Sequence, residues 1–146
     1  KGMIIAIGVA AAVVSIIVYL GIHSLVPVNG NSPVFAAPTN TFIKGTYSPQ
    51  SGYTFVSQST SSGRNSLPIG YNSPTITLKQ EELESIHMIN EDTSSKHNLN
   101  IDAFKVHTNN LGYFQSQTIT FIANKGGSFP YYCTIHPQMR GLVVVQ

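Results

Sequence analysis

Twenty consecutive positions, Met3 to Ile22 (MIIAIGVAAAVVSIIVYLGI), carry no charge and show no polar face at helical spacing. A helix on the surface of a soluble domain sets an apolar stripe against a polar one, so this run is not such a helix. At about 1.5 Å per residue it reaches about 30 Å, the thickness of a bilayer's hydrocarbon core. The chain therefore divides into an apolar helix over 1–22, a stretch over 23–40, and a remainder over 41–146 that is long enough for one domain.

The run reads as an anchor or as a leader. A secretory leader's apolar core is shorter, about 7–15 residues, and the small-residue site Val34-Phe35-Ala36 lies far beyond the run. Length favours an uncleaved transmembrane signal-anchor over a removed signal. Lys1-Gly2 ahead of the run also resembles the cleavage region of pilin-type precursors. Lys1 is the only Lys, Arg, Asp or Glu before Lys44, and the positive-inside rule then places the N-terminus in the cytoplasm. The expectation is a single-pass protein whose C-terminal domain is extracytoplasmic, on the periplasmic or cell-surface side. From His23 to Asn40, Pro, Gly and Asn recur almost without charge, which reads as a tether.

Charged residues make up 10% of the chain, against about 25% in ordinary soluble domains. Asn, Ser, Thr and Gln supply the polarity instead, a surface suited to an extracytoplasmic and even acidic setting. The net charge is +2 with no basic stripe, so nothing points to a nucleic-acid partner. With one cysteine no intramolecular disulfide can form.

Beyond residue 40 the apolar period is two. Thr41 to Ser48 and Tyr53 to Gln58 flank the turn Ser-Pro-Gln-Ser-Gly and read as two strands, followed by a flexible loop over Ser59 to Asn65. Leu67, Ile69 and Tyr71 share a face, with Pro68 marking an edge strand. Ile76 with Leu78, Ile86 with Met88, Leu99 with Ile101, and Ile119 with Phe121 keep the alternation. Phe129, Tyr131 and Cys133 share one face, and Leu142 to Val145 reads as a buried closing strand. Glu81 to Ser85 is either one helical turn or a solvated acidic loop. Short strands with turn signals at this spacing predict an all-β, antiparallel β-sandwich behind one N-terminal transmembrane helix.

Within that pattern, FPYYCTIHPQMRG sets Cys133, His136 and Met139 three residues apart. Taken singly, a buried Cys, a core Met and a turn His before Pro need no metal. Together a thiolate, an imidazole and a thioether are soft ligands suited to copper, and His97, upstream in a strand-like context, supplies a second imidazole. One cysteine, two histidines and a weak axial methionine make a blue-copper site. A structural zinc site is the inorganic rival, but it favours more Cys or His and no Met. Pro137 fixes its own φ and stiffens the loop.

Phe129 to Val145 (FPYYCTIHPQMRGLVVV) resembles the copper loop and last strand of the cupredoxins, and Cys-x-x-His-x-x-Met is similar in its short spacing to the amicyanins. The upstream stretch PTITLK, Asn90-Glu91-Asp92 and His97-Asn98 resembles the family's first half, so the likeness covers 67–146 most clearly. It implies a Greek-key sandwich and one type 1 copper ion held by His97, Cys133, His136 and Met139. It also implies that Asn98 ties the two ligand loops together near Thr134. Two departures stand out: Gln80 to Ser85 replaces the usual Gly-Asp turn, and 41–58 has no alignable counterpart.

His23, His87 and His107 read as surface residues, with a second metal or a partner contact at His87 or His107 as the alternative. The resemblance implies a membrane-anchored carrier of single electrons cycling between Cu(I) and Cu(II). Its redox partners would be a membrane-bound oxidase or another copper or haem enzyme of a respiratory chain. Electrons would pass through the partly exposed edge of His136, with Pro137 in its apolar rim. A second reading is a fixed subunit of a membrane oxidase or oxygenase complex; the binuclear centre of an oxidase subunit II needs two cysteines, so only a mononuclear site fits there. A third is a small copper enzyme acting on nitrogen oxides, although such relatives place a histidine where this chain has Tyr132, and no His-x-His pair is present.

Overall fold

The uncharged, proline-free N-terminal run forms the helix Gly2–His23 (α1), 22 residues long. The computed structural model describes residues 2–23, 26–28, 31–34, 37–58, 70 and 72–146. On α1 the described side chains, 8–9 and 11–19, are all exposed. Among the residues whose side chains are described, no helical stretch is long and apolar enough to cross a membrane, so the spanning role expected of Met3 to Ile22 rests on its sequence. The stretch expected as a plain tether contains Val26–Val28 (β1) and Asn31–Val34 (β2), paired antiparallel; Asn29-Gly30 between them is a hairpin signal in the sequence. These elements belong to one compact unit, Lys1–Ala36, and Ala37–Gln146 forms another. The loop over Ser59 to Asn65, the face shared by Leu67, Ile69 and Tyr71 with Pro68, and Phe35-Ala36 of the cleavage site lie outside the described residues.

The second unit contains Thr39–Ser48 (β3), Gly52–Ser57 (β4), Ile76–Leu78 (β5), Leu83–Asn90 (β6), Asn100–Ile101 (β7), Val106–His107 (β8), Ser116–Ile122 (β9), Gly127–Tyr132 (β10) and Arg140–Val145 (β11). One sheet runs β4-β3-β6-β9 and the other β5-β11-β10-β7-β8. Ile43, Phe55, Ile86 and Phe121 from the first meet Ile76, Leu78, Tyr131 and Val143 from the second in one core. Each such side chain contributes roughly 1.5–3 kcal/mol when fully buried. Gly141 lies opposite Tyr131 in the ladder, and a Cβ there would run into the phenol ring. Backbone approach of this kind lets the Tyr131 hydroxyl donate to Pro74 O at 2.6 Å.

Three expectations change. The sandwich is not wholly antiparallel: β3 pairs parallel with β6, and β11 with β5. Alternation sets which side chains share a face but carries no information on strand direction; Thr41, Ile43 and Gly45 align with Ile86, Met88 and Asn90 in the parallel register. Glu81 to Ser85 divides: Glu81 and Glu82 lie in a solvated turn, but β6 already begins at Leu83, and Glu84 is buried on the face that carries Ile86 and Met88. Its charge hid the strand's inward period. Leu142 is 46% exposed in the closing strand, while Val143 and Val145 are buried, because β11 packs by one face only.

Candidate metal centre

The chain leaves β10 at Tyr132 and turns at Cys133, whose thiol is buried. Two backbone hydrogen bonds close the loop that follows: Met139 N–H donates to His136 O at 2.9 Å, and Cys133 N–H donates to Met139 O at 3.0 Å. The three-residue intervals are therefore the length of a tight loop that leads straight into β11. His97 arrives from the other side, exchanging backbone hydrogen bonds with Leu111 at 2.8 and 3.1 Å. One ligand atom from each of His97, Cys133 and His136 falls within 4.8 Å of the others, a clustering that no other group of His, Cys, Asp or Glu matches among the described residues.

The donor atoms face inward. His97 Nε2 lies 2.9 Å from Asp92 Oδ2, while its Nδ1 is buried with no hydrogen-bond partner. His136 Nε2 lies 3.2 Å from Ser95 Oγ, and its Nδ1 lies 3.9 Å from Cys133 Sγ. A buried nitrogen without a partner costs free energy unless something fills its lone pair. With both outer nitrogens occupied, two inner nitrogens and one sulfur remain, a donor set that fits copper. Met139, fully buried, sits at the loop's far end.

A model of the cupredoxin-like domain matches residues 55–145. The chain belongs to the cupredoxin-like family. Members of this family bind copper, and His97, Cys133 and His136 form a candidate type 1 copper site. No curated protein matches the chain. Among solved structures it is similar to auracyanin from the photosynthetic bacterium Roseiflexus castenholzii, 18% identical with a TM-score of 0.52 over 76% of this chain and 99% of that one. It is also similar to rusticyanin from Thiobacillus ferrooxidans, 13% identical with a TM-score of 0.51 over 75% of this chain and 79% of that one. A Cu-containing nitrite reductase from Thermus scotoductus is 19% identical with a TM-score of 0.52, over 75% of this chain but 28% of that one. At these identities the likeness is one of fold.

In this cupredoxin-like domain the site's own groups set the charge states. Burial works to raise the Cys133 thiol, but the His97 side chain and backbone groups of Asn98, His136 and Ile135 outweigh it and hold the pKa below the usual thiol value. A lowered thiol pKa favours the thiolate, the form that binds metal. Burial works to lower His97, but nearby Cys133 and Asp92 prevail and raise it. His136 is lowered by burial and then by the charge of His97.

Around the donors a second layer fixes position. Asn98 donates to Thr134 Oγ1 at 2.6 Å and to Asn110 Oδ1 at 2.7 Å, and accepts from Thr134 N–H at 2.8 Å. His136 is half-buried, with Ile135 and Pro137 exposed on either side. Tyr132, just before the cysteine, turns outward and donates to the Asp102 carboxylate at 3.0 Å. The described histidine rings elsewhere do not join the cluster. His87 has both nitrogens engaged, with Asn40 at 2.8 Å and Thr118 at 2.7 Å, and stacks on Phe42. His107 is exposed on β8. The side chain of His23 lies outside the described residues.

Sequence reasoning missed Asp92, Ser95, Tyr53 and Gly45. Tyr53 stacks on His136 at 3.9 Å and also borders His97 at 5.7 Å. A Cβ on Gly45 would come 3.1 Å from the His97 ring. Both lie in the β3–β4 hairpin, whose strands were legible but whose distance to the site was not. Asp92 had a signal: an acid five residues before the candidate ligand His97, in a run of loop-forming Asn, Glu, Asp and Ser.

Proposed function

We propose that this protein is a membrane-anchored type 1 copper protein that passes single electrons between redox partners. The observation that carries the reading is the unpartnered, buried His97 Nδ1 beside the Cys133 thiol and His136 Nδ1. His97, Cys133 and His136 would hold the metal, with the Met139 thioether as a fourth, weaker ligand, and bound copper would supply a one-electron couple. The chain's contribution is rigidity. Asn98 pins the Cys133 loop to the His97 segment, and the backbone ring from Cys133 to Met139 holds the loop closed. A site that keeps one shape in both oxidation states loses little free energy to rearrangement. His136, half-buried between exposed Ile135 and Pro137, is the donor nearest solvent and the route in and out for electrons. Partners would dock briefly through a small interface, as redox encounters do.

Anchoring is part of the same proposal. The uncharged α1 keeps Val14 and Ile17 60% or more exposed, and apolar surface of that extent calls for a covering medium, which a bilayer supplies. A tether then raises the local concentration of partners without new contacts. The domain would lie on the extracytoplasmic side, facing a membrane-bound oxidase or another copper or haem enzyme.

The test is the visible spectrum of the full chain in detergent, loaded with Cu(II), beside Cys133→Ser. An intense thiolate-to-copper band that bleaches reversibly with reductant and vanishes in the variant is the expected result. A colourless protein that takes zinc equally well would reject the electron-carrier reading. Extraction of the full chain from membranes by carbonate alone would reject the anchor.

A further inference from the structure

The loop between β6 and His97 is built around one carboxylate. Asn90, fully buried at the end of β6, donates to Ser95 O and Leu111 O, each at 2.8 Å, and its Oδ1 accepts from Asp92 N–H at 2.8 Å. Asp92 is 4% exposed. Its Oδ1 is saturated by Ser94, from the backbone N–H at 2.8 Å and the hydroxyl at 2.6 Å. That leaves Oδ2 turned to His97 Nε2 at 2.9 Å, between side chains 3% and 0% exposed. Among the described residues no Lys or Arg pairs with Asp92; the nearest acid in sequence, Glu91, takes Lys44 instead.

We infer that Asp92 is a positioning residue that sets the copper site's reduction potential through His97, favouring the oxidised state. The inference rests on the copper reading above. Accepting the Nε2 proton fixes the tautomer that leaves Nδ1 free for metal and makes the imidazole a stronger donor. Charge gives the direction. With Cu(II), one thiolate and the Asp92 carboxylate sum to neutrality in the buried site. With Cu(I) one negative charge is left over, in a medium that screens poorly. Reduction is therefore disfavoured relative to a site whose histidine donates to a neutral acceptor. Asn at this position keeps the size of Asp but removes the charge, and its amide cannot serve both Ser94 donors and the His97 N–H.

The experiment compares full-chain wild type, Asp92→Asn and Glu91→Gln by redox titration of the thiolate band, with Cu(II) and Cu(I) affinities from competition. Asp92→Asn is expected to lower the preference for Cu(II) over Cu(I) by about tenfold, a rise of about 59 mV for a one-electron couple. The loss should fall on Cu(II) affinity, and Glu91→Gln should move the potential far less. A variant that holds copper but shifts no more than Glu91→Gln, or shifts downward, overturns the inference. A second measurement needs no variant. In the diamagnetic Cu(I) wild type, His97 Nε2–H should give a downfield, slowly exchanging proton resonance; a rapidly exchanging or absent one overturns it as well. Loss of the thiolate band in wild type would sink the copper reading itself, which keeps the two failures apart.

Discussion

The ring of Tyr53 lies 3.9 Å, centroid to centroid, from that of His136, at an interplanar angle of 30°. Tyr47 adds a tilted ring contact on Tyr53, at 4.9 Å and 50°. The β3–β4 hairpin thus covers one face of His136, the candidate ligand nearest solvent. An aromatic pair of this kind contributes about 0.5–1.5 kcal/mol beyond area burial. Tyr53→Leu keeps apolar bulk and removes the stack, so copper should leave to a chelator roughly 3- to 10-fold faster with little change in the fold. An unchanged release rate would mean that the ring only fills space.

Gly45 gives the hairpin a second hold on the site. Its missing Cβ leaves room for His97, whose Cδ2, Cβ and Cγ would otherwise lie 3.1–3.2 Å away. Ala there must push the imidazole by a few tenths of an ångström, and overpacking of this kind costs about 1–3 kcal/mol. Gly45→Ala should lower the unfolding midpoint and shift the copper absorption band together. Loss of stability with an unmoved band would place the strain in the strand instead of the ring.

Asn98 joins what the sequence separates by 36 residues. It donates to Thr134 Oγ1 and Asn110 Oδ1, and its own oxygen takes Thr134 N–H and the Asn100 amide. Removing a buried hub leaves partners unsatisfied at about 1–3 kcal/mol. Asn98→Ala should destabilise by that order and broaden the copper signal in electron paramagnetic resonance as the loops part. Thr134→Ala removes only the hydroxyl and should cost less, because the Thr134 N–H bond survives. Equal losses for the two variants would contradict the hub.

How much of this was legible depends on what kind of regularity encodes it. Ile86 with Met88 and Ile119 with Phe121 announce their shared face by period two, and the structure buries all four. Cys133, His136 and Met139 announce a loop because three-residue intervals suit its length. Strand direction has no such signature, so the parallel β3–β6 pair was invisible. The hairpin's hold on the site was invisible for a different reason: Gly45 and Tyr53 act through space on residues some 50 to 80 positions away. Glu84 misled because a carboxylate in an inward position violates the pattern that defines the strand.

That violation has a measurable consequence. Glu84 is 1% exposed, and neither carboxylate oxygen has a hydrogen-bond partner among the described residues. Burial, with help from the charge of Glu82 and against a weaker opposing pull from the Lys79 backbone, pushes its pKa from 4.5 up to about 7. Between those values the folded chain keeps a proton that the unfolded chain has lost. Folding stability therefore falls as pH rises through that window and is level on either side. The full span is worth up to about 3 kcal/mol. Glu84→Gln keeps the side chain neutral at every pH, so it should gain on wild type progressively from pH 4.5 to 7 and hold the gain above. Denaturant midpoints of the two proteins, measured from pH 4 to 8, check this directly, since contributions from the metal site cancel in their difference. A difference that stays constant with pH would show that Glu84 finds a charged partner or water and ionises normally. A difference that grows from pH 4.5 to 7 and then levels off shows that the buried Glu84 makes the folded chain more stable in acidic surroundings than at neutral pH.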